Sequence, residues 1–470
     1  MTVDLVLSVD RAAKLSLQSQ LAEQLRRAVL EGRLEAGDPI PASRPLAKHL
    51  GISRGTVVAA LEQLHGEGYI ESHPGRGSVV APIRHLQFSA HPAGGLPEGS
   101  HLKRRSDSGE VSVDLRPGYP WTRDLSGDSA WRAAWRTASR NVPAATVHED
   151  DPAGAHALRR ALAEHLRRAR GVTAGPEDLH ITAGTSDALL LLVLALKHEH
   201  GQVSVAVEDP GYPSARRTLT AAGADLHPLS VTEQTSIDIE LLPQAVQAVM
   251  VTPSHQYPLG GIMSVGDRLK LLKWAQDHGA LVIEDDYDSE FRYDRASLPA
   301  LSSLSEENNV VTVGSFSKIL SPALRMGYIY APGAMGDKLL RTRQAVGPSV
   351  SYIQQHALAQ YIDGGGLSRH ISRTRREYRH RRDLLLNHLT GIPGVEVSAT
   401  SGGLHAIIHT PSPADQLAAS LRKDGIAVGL LSDYGFGELC EEENALVIGY
   451  GNVTSLQLTQ ALARMDRILR

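Results

Sequence analysis

Cysteine is almost missing from this chain. A single residue, Cys440, in 470 positions excludes an intramolecular disulfide framework and leaves no thiolate cluster for zinc, a composition suited to a reducing compartment. Long apolar runs are missing too. The longest unbroken one, Ala188 to Leu196, is far shorter than the ~20 residues a bilayer demands, and the N-terminus lacks the charged-then-apolar pattern of an export signal. Together these absences predict a cytoplasmic protein with no membrane partner. Positive charge is not in excess either: the formal net charge is -4, so any contact with nucleic acid must come from a few placed residues rather than bulk attraction. No internal repeat or low-complexity tract is evident. The length exceeds one ordinary core and predicts roughly two to four domains, or one large α/β unit with an appendage.

What is present begins with an amphipathic pattern. From Ser16 to Glu31, Leu17, Leu21, Leu25, Val29 and Leu30 recur at helical spacing until Gly32 stops the run. A second helix is expected from Ser43, a candidate cap, with Leu46, Ala47 and Leu50 inward and Gly51 at its end. Ser53 caps a third, which buries Val57, Ala60, Leu61 and Leu64 and leaves Arg54, Gly55 and Thr56 in the exposed first turn. Two short helices joined by Gly51-Ile52-Ser53 make a helix-turn-helix. The strand-like segments Tyr69–His73 and Ser78–Val80 flank Pro74-Gly75-Arg76-Gly77, a hairpin with a basic, glycine-rich tip. Residues 1–80 carry nine Lys and Arg against nine Asp and Glu. Position, not charge, suggests DNA: Arg44 and Arg54 open consecutive helices and Arg76 marks the hairpin tip, where a groove and its phosphates can be reached together. The same helix pair also serves as an ordinary packing motif.

Residues 82 to about 113 contain Pro92, Gly94, Gly95 and Pro97 with scattered charge, the composition of a connector. From Asp114 onward, strand-like runs (203–207, 248–252, 280–283, 310–313) alternate with helical ones (158–168, 188–197, 267–277), which predicts a mostly parallel sheet covered on both faces. Chemistry-bearing residues follow the strands of that sheet. Gly184, Thr185 and Ser186 precede a long apolar helix, where an anion is favoured by unpaired N–H groups and the dipole; an ordinary cap is the plain alternative. Tyr212 leaves another strand and can stack on a flat heterocycle or serve as packing. Asp285 and Tyr287 close the run 280–287, at the edge where open α/β sheets bind ligands. A carboxylate there can hold a pyridine nitrogen protonated while the tyrosine bonds a ring oxygen. Lys318 ends the run Val310–Lys318, with Ser315, Ser317 and Arg325 nearby as phosphate donors. Such a lysine suits Schiff-base formation; its plain alternative is a stem snorkelling to solvent.

Two resemblances are carried by these strings. Gly32, Leu34, Gly37-Asp38, Ile40-Pro41-Ala42-Ser43-Arg44, Leu46-Ala47, Ser53-Arg54, Thr56-Val57, Gly68-Tyr69 and Gly75–Gly77 resemble the GntR family of bacterial regulators over residues 10–80. That resemblance implies operator contacts by Arg44, Ser53, Arg54, Gly55 and Thr56, with the wing residues His73, Gly75, Arg76 and Gly77. The remainder resembles the fold-type I pyridoxal phosphate enzymes. By that likeness Lys318 forms the Schiff base, Asp285 pairs with the pyridine nitrogen, Tyr287 contacts the phenolic oxygen and Tyr212 stacks on the ring. Gly184, Thr185, Ser186, Ser315, Ser317 and Arg325 match phosphate contacts. Together with Thr252–Gly260, Glu284–Tyr293 and Gly314–Lys318, the two halves resemble the MocR subfamily of regulators.

The departures are informative. The run 444–450 lacks the arginine that clamps a substrate carboxylate in aminotransferases, and Ser214 stands where the subfamily's γ-aminobutyrate sensor has one. The tyrosine that usually precedes Asp-Pro-Ala-Gly is replaced in Glu149-Asp150-Asp151-Pro152-Ala153-Gly154, and His255-Gln256-Tyr257-Pro258 lacks the Asn-Pro of the enzymes. His255 is either a partner of the ring oxygen or a loop-packing residue. The expectation is a winged helix-turn-helix (1–80, α+β), a linker (81–113) and an α/β aminotransferase-like domain (114–470) binding pyridoxal 5'-phosphate. It would act as a homodimer on double-stranded operator DNA and sense an amine, an amino acid or pyridoxal phosphate itself, the last implying control of vitamin B6 synthesis. An active aminotransferase with an appended binding module is the alternative; a scaffold with an empty, vestigial pocket is the third.

Overall fold

The computed structural model describes residues 7–11, 13, 15–66, 69–73, 77–81, 111–140, 151–232, 237, 239–293, 299–305, 307–436 and 444–469. It divides into two compact units, Met1–Ser106 and Asp107–Arg470. In the first, helices α1 (Leu17–Leu30), α2 (Ser43–Leu50) and α3 (Arg54–Gly66) precede the antiparallel hairpin of β1 (Ile70–His73) and β2 (Gly77–Val80). Their apolar stripes make one core in which Leu21, Leu25, Val57, Ala60, Leu64 and Ile70 are essentially solvent-free. Leu50 and Leu61 are only partly buried at its rim. Ser16 caps α1 through the Ser19 N–H, and Gly51 ends α2 in the left-handed conformation that favours glycine. The Ser43 cap is corrected: α2 begins on Ser43 itself, Ala42 takes the cap position, and no side chain caps the helix. The serine hydroxyl is occupied elsewhere, accepting from Arg54 Nε at 3.3 Å.

The second unit opens with the short strand β3 (Val113–Asp114) and is built on a seven-stranded sheet. Its strands are β4 (Leu179–Thr182), β5 (Val203–Asp209), β6 (Ala224–Ser230), β7 (Ala248–Val251), β8 (Leu281–Asp286), β9 (Val310–Ser315) and β10 (Gly327–Tyr330), in spatial order β4-β10-β9-β8-β7-β5-β6. Neighbours from β9 to β6 run parallel, and β10 alone is antiparallel to both of its neighbours. Strands β7, β8, β9 and β10 have every residue buried, the signature of a sheet covered on both faces. Helices His156–Arg170, Thr185–His200 and Val265–His278 follow the expected stretches, each a turn or so longer than its apolar stripe. The C-terminal part adds a four-stranded antiparallel sheet with His405–His409 and Ala445–Gly449 at its centre.

A helix rich in arginine runs over Gly366–Leu389, and much of its charge is turned onto the fold. Arg381, 1% exposed, donates to the carbonyls of Tyr450 and Gly451, and Arg375 and Arg379 donate to those of Glu290 and Tyr293. Among the described residues, no helix is long and apolar enough to cross a membrane.

Candidate cofactor and nucleic-acid sites

Three consecutive carboxylates end β8, and strand alternation sorts them. Glu284 and Asp286 share one face, where Arg170 from helix His156–Arg170 lies 3.4 Å from Glu284 and 2.8 Å from Asp286. Asp285 points the other way, into a cavity of ≈ 330 Å³ at the carboxyl ends of the central strands. One Asp285 oxygen is buried without a hydrogen-bond partner. Burial, then the charges of Asp286, Glu208 and Asp288, push its carboxyl up to about 8, with Lys318 pulling the other way. Its ionised form is poorly solvated and acceptor-only, and a cationic ring N–H would stabilise that form.

Lys318 enters the same cavity from the helical turn Phe316–Ile319, directly after β9. Its ammonium donates to the carbonyl of Gly118, whose backbone is left-handed (φ 96°) and whose missing Cβ leaves the amine room. Desolvation lowers the lysine pKa against the opposing charges of Asp288 and Asp285, which favours the free amine that a Schiff base needs.

The opposite wall gathers groups suited to an anion. Gly184 (φ 89°, ψ -176°) adopts a conformation that only glycine holds without strain and turns the chain into helix Thr185–His200, so that Thr185 and Ser186 N–H groups open the helix toward the cavity. Ser315, Ser317 and Arg325 complete that wall. Ser315 caps its helical turn through the Ser317 N–H, and its hydroxyl bonds that of Ser317 at 2.9 Å. Arg325 is one of few non-glycine residues with positive φ (46°) among the described residues, backbone strain of the kind that collects at ligand clamps.

Ten of the eleven residues assigned to the cofactor from sequence therefore line one cavity: Lys318, Asp285, Tyr287, Tyr212, Gly184, Thr185, Ser186, Ser315, Ser317 and Arg325. His255 does not. It lies one layer behind, its Nδ1 2.9 Å from the Tyr287 hydroxyl and 2.8 Å from Asp288 Oδ2. Sequence reasoning missed Tyr119, Thr252 and Tyr257, which also line the cavity. Tyr257 sits in the His255–Pro258 string at the position of the missing Asn, and that substitution was the available signal; Tyr119 carried none. Among the described residues lining the cavity, Arg325 is the only arginine.

In the first unit, Ser53 caps α3 through the Thr56 N–H at 3.1 Å. Arg44, Ser53, Arg54 and Gly55 are exposed and Thr56 partly so. The Arg54–Ser43 bond ties the first turn of α3 to that of α2, so both helix starts present one surface. Gly77 begins β2 opposite His73. The side chain of His73, together with Gly75 and Arg76, lies outside the described residues, as does Cys440.

Residues 17–80 match the bacterial regulatory proteins of the gntR family, and residues 134–465 match aminotransferase class I and II. A pyridoxine biosynthesis transcriptional regulator, PdxR of Corynebacterium glutamicum, is 37% identical over 469 residues, 99% of each chain. The probable rhizopine catabolism regulatory protein MocR of Rhizobium meliloti is 34% identical over 81% of this chain and 78% of its own. This chain belongs to the MocR subfamily of GntR-type transcriptional regulators. Solved aminotransferases share the fold of the large domain. An archaeal alanine:glyoxylate aminotransferase superposes with a TM-score of 0.68 at 22% identity, over 76% of this chain and 90% of that one. LysN, the α-aminoadipate aminotransferase of Thermus thermophilus bound to a phosphopyridoxyl-leucine adduct, does so with 0.64 at 24% identity, over 76% and 92%. The cofactor of this MocR-type domain is pyridoxal phosphate. The orphaned Asp285 oxygen, the desolvated lysine and the wall suited to an anion fit its ring nitrogen, aldehyde and phosphate respectively. An aminotransferase-like domain joined to a DNA-binding domain suits a sensor.

Proposed function

We propose that this regulator senses pyridoxal phosphate itself and controls the supply of vitamin B6. Residues 1–80 bind the operator, 81–113 tether, and 114–470 bind the cofactor. The observation that carries this reading is the composition of the cavity: it has groups for every part of the cofactor, yet Tyr119, Tyr257 and Ser214 occupy the remaining wall without a second arginine for a substrate carboxylate. An amino acid entering there would leave a buried carboxylate unpaired, a cost of several kcal/mol. The relatedness to a regulator named for pyridoxine biosynthesis points the same way.

In this reading Lys318 holds the cofactor covalently and Asp285 keeps its ring nitrogen protonated. Tyr287 bonds the ring oxygen, Tyr212 stacks on the ring, and the Gly184–Ser186 turn with Ser315, Ser317 and Arg325 binds the phosphate. Bound cofactor supplies an electrophilic carbon and an electron sink; here these anchor the ligand rather than turn it over. Arg44 and Arg54, with Ser53, Gly55, Thr56 and the wing residues His73, Gly75, Arg76 and Gly77, contact DNA. A homodimer in the cytoplasm would place two such domains on paired half-sites.

The test is the visible absorption of full-length wild type and Lys318→Ala, each mixed with pyridoxal phosphate and then with a panel of amines and amino acids. A lysine-bound cofactor band in the wild type alone, unchanged by amino acids, is expected. A band that one amine displaces without product would move the effector to that class, and steady conversion of an amino acid with a keto acid would make the chain an enzyme. Identical unbound-cofactor spectra would remove the Lys318 assignment.

A further inference from the structure

Among the described cavity residues, Tyr287 is the one whose hydroxyl is held from behind by an ionisable pair. His255 Nδ1 lies 2.9 Å from the Tyr287 oxygen and 2.8 Å from Asp288 Oδ2, so a single ring nitrogen faces both a phenol and a carboxylate. His255 and Asp288 are 4% and 2% exposed. The site is shaped for them: Gly403 has φ 73°, and a Cβ there would collide with His255 Cε1 and stand 2.6 Å from Asp288 Oδ2. The other nitrogen, His255 Nε2, is buried without a partner.

These contacts decide where the imidazole proton sits. A lone pair on Nδ1 would oppose the carboxylate at 2.8 Å, whereas an Nδ1–H donates to it in a charge-assisted bond. An unpaired buried lone pair at Nε2 is also cheaper than an unpaired N–H. Asp288 also lies within hydrogen-bond reach of the phenol, but with the Nδ1 proton directed at that carboxylate, Nδ1 cannot accept from Tyr287 and the carboxylate is already engaged, which leaves the phenol hydrogen to turn into the cavity.

We propose that Asp288, acting through His255, is a positioning residue that orients the Tyr287 hydroxyl as a hydrogen-bond donor to the ring oxygen of the bound cofactor. The inference rests on the pyridoxal phosphate reading of the cavity. It separates the roles of neighbouring carboxylates: Asp285 serves the ring nitrogen directly, and Asp288 serves the ring oxygen two residues removed. His405 completes the arrangement. Its ring centroid is 5.3 Å from that of His255, and its Nε2 bonds the Pro258 carbonyl at 2.8 Å, which assigns it the opposite tautomer. The other titratable groups facing Tyr287 are Tyr257 and Asp285, with Lys318 across the cavity.

A donor on the ring oxygen favours its anionic form and lowers the pH at which the Lys318-linked cofactor loses its shared proton. The experiment is a pH titration of the visible spectrum of the full-length protein loaded with pyridoxal phosphate, for the wild type, Tyr287→Phe, Asp288→Asn and the double variant. Asp288→Asn should raise the spectral midpoint by about one pH unit, the size of one charge-assisted hydrogen bond. Tyr287→Phe should raise it similarly, and the double variant should show no further shift, because both changes remove the same bond.

A wild-type midpoint in Asp288→Asn, or shifts that add in the double variant, would overturn the proposal while leaving the cofactor assignment intact. Loss of the lysine-bound band from the wild type itself would instead remove the reading on which it rests. Should Asp288→Asn not fold, His255→Gln carries the same expectation, since without the imidazole the phenol hydrogen passes to Asp288; an unshifted midpoint there overturns the proposal equally.

Discussion

At the scale of single residues, Asp285 and Glu208 are carboxylates whose burial works against the fold. Burial raises Glu208 to about 7 although Thr252 and Gln256 donate to it, and raises Asp285 to about 8. Both folded values exceed those of the unfolded chain, so the native state holds more protons from about pH 4 upward, and stability declines as pH rises toward about 8. A cationic ring nitrogen beside Asp285 reverses its share. Thermal melts of cofactor-free protein should therefore show a melting temperature falling between about pH 5 and 8, less steeply in Asp285→Asn, while loaded wild type loses less. Parallel curves for wild type and Asp285→Asn would contradict the assigned environment.

At the scale of elements, β8 shows how alternation converts a run of like charges into two functions. Glu284 and Asp286 are tolerable in a solvent-free strand because Arg170 lies between them, where helix His156–Arg170 ends, and because the Leu301 N–H and the Thr312 hydroxyl donate to Glu284. Arg170→Ala should cost about 3–5 kcal/mol, the usual result of stranding a buried charge. Chemical denaturation of the large domain would measure it, and a loss below about 1 kcal/mol would mean that the pair is solvated. The three carboxylates are legible in the sequence as a group at a strand end. The family resemblance singles out Asp285 among them; the apolar run alone, ending at Ile283, does not, because the face of Asp285 depends on the register of β8 between β7 and β9.

At the scale of the molecule, a sensor requires that cofactor and operator bind with a coupling free energy, and that coupling is reciprocal. If pyridoxal phosphate alters affinity for DNA by some factor, within the usual range of about 5 to 150, the DNA must alter affinity for pyridoxal phosphate by the same factor. The measurement is a cofactor titration of full-length protein, with and without a saturating duplex selected by the protein from a random pool. Equal affinities in both arms, alongside intact binding of each ligand alone, would mean that the two units do not communicate.

The sequence by itself determined the two-part character, the helix-turn-helix core and the alternating α/β half. Hydrophobic periodicity and capping residues are local, as are the glycines that end α1 and α2, so they survive being read one segment at a time. Ten of the eleven residues assigned to the cofactor gather at one cavity for a related reason: all but Arg325, in the turn before β10, lie at or just beyond the carboxyl end of a strand. Only the tertiary structure decided that Ser43 bonds Arg54 instead of capping α2, and that much of the charge of helix Gly366–Leu389 is spent on carbonyls of the fold. It also moved His255 from the cavity wall to the layer behind Tyr287, where Asp288 meets it at 2.8 Å. Those outcomes turn on register and on contacts between segments far apart in the chain, and no local pattern encodes the distance at which two such segments come to rest.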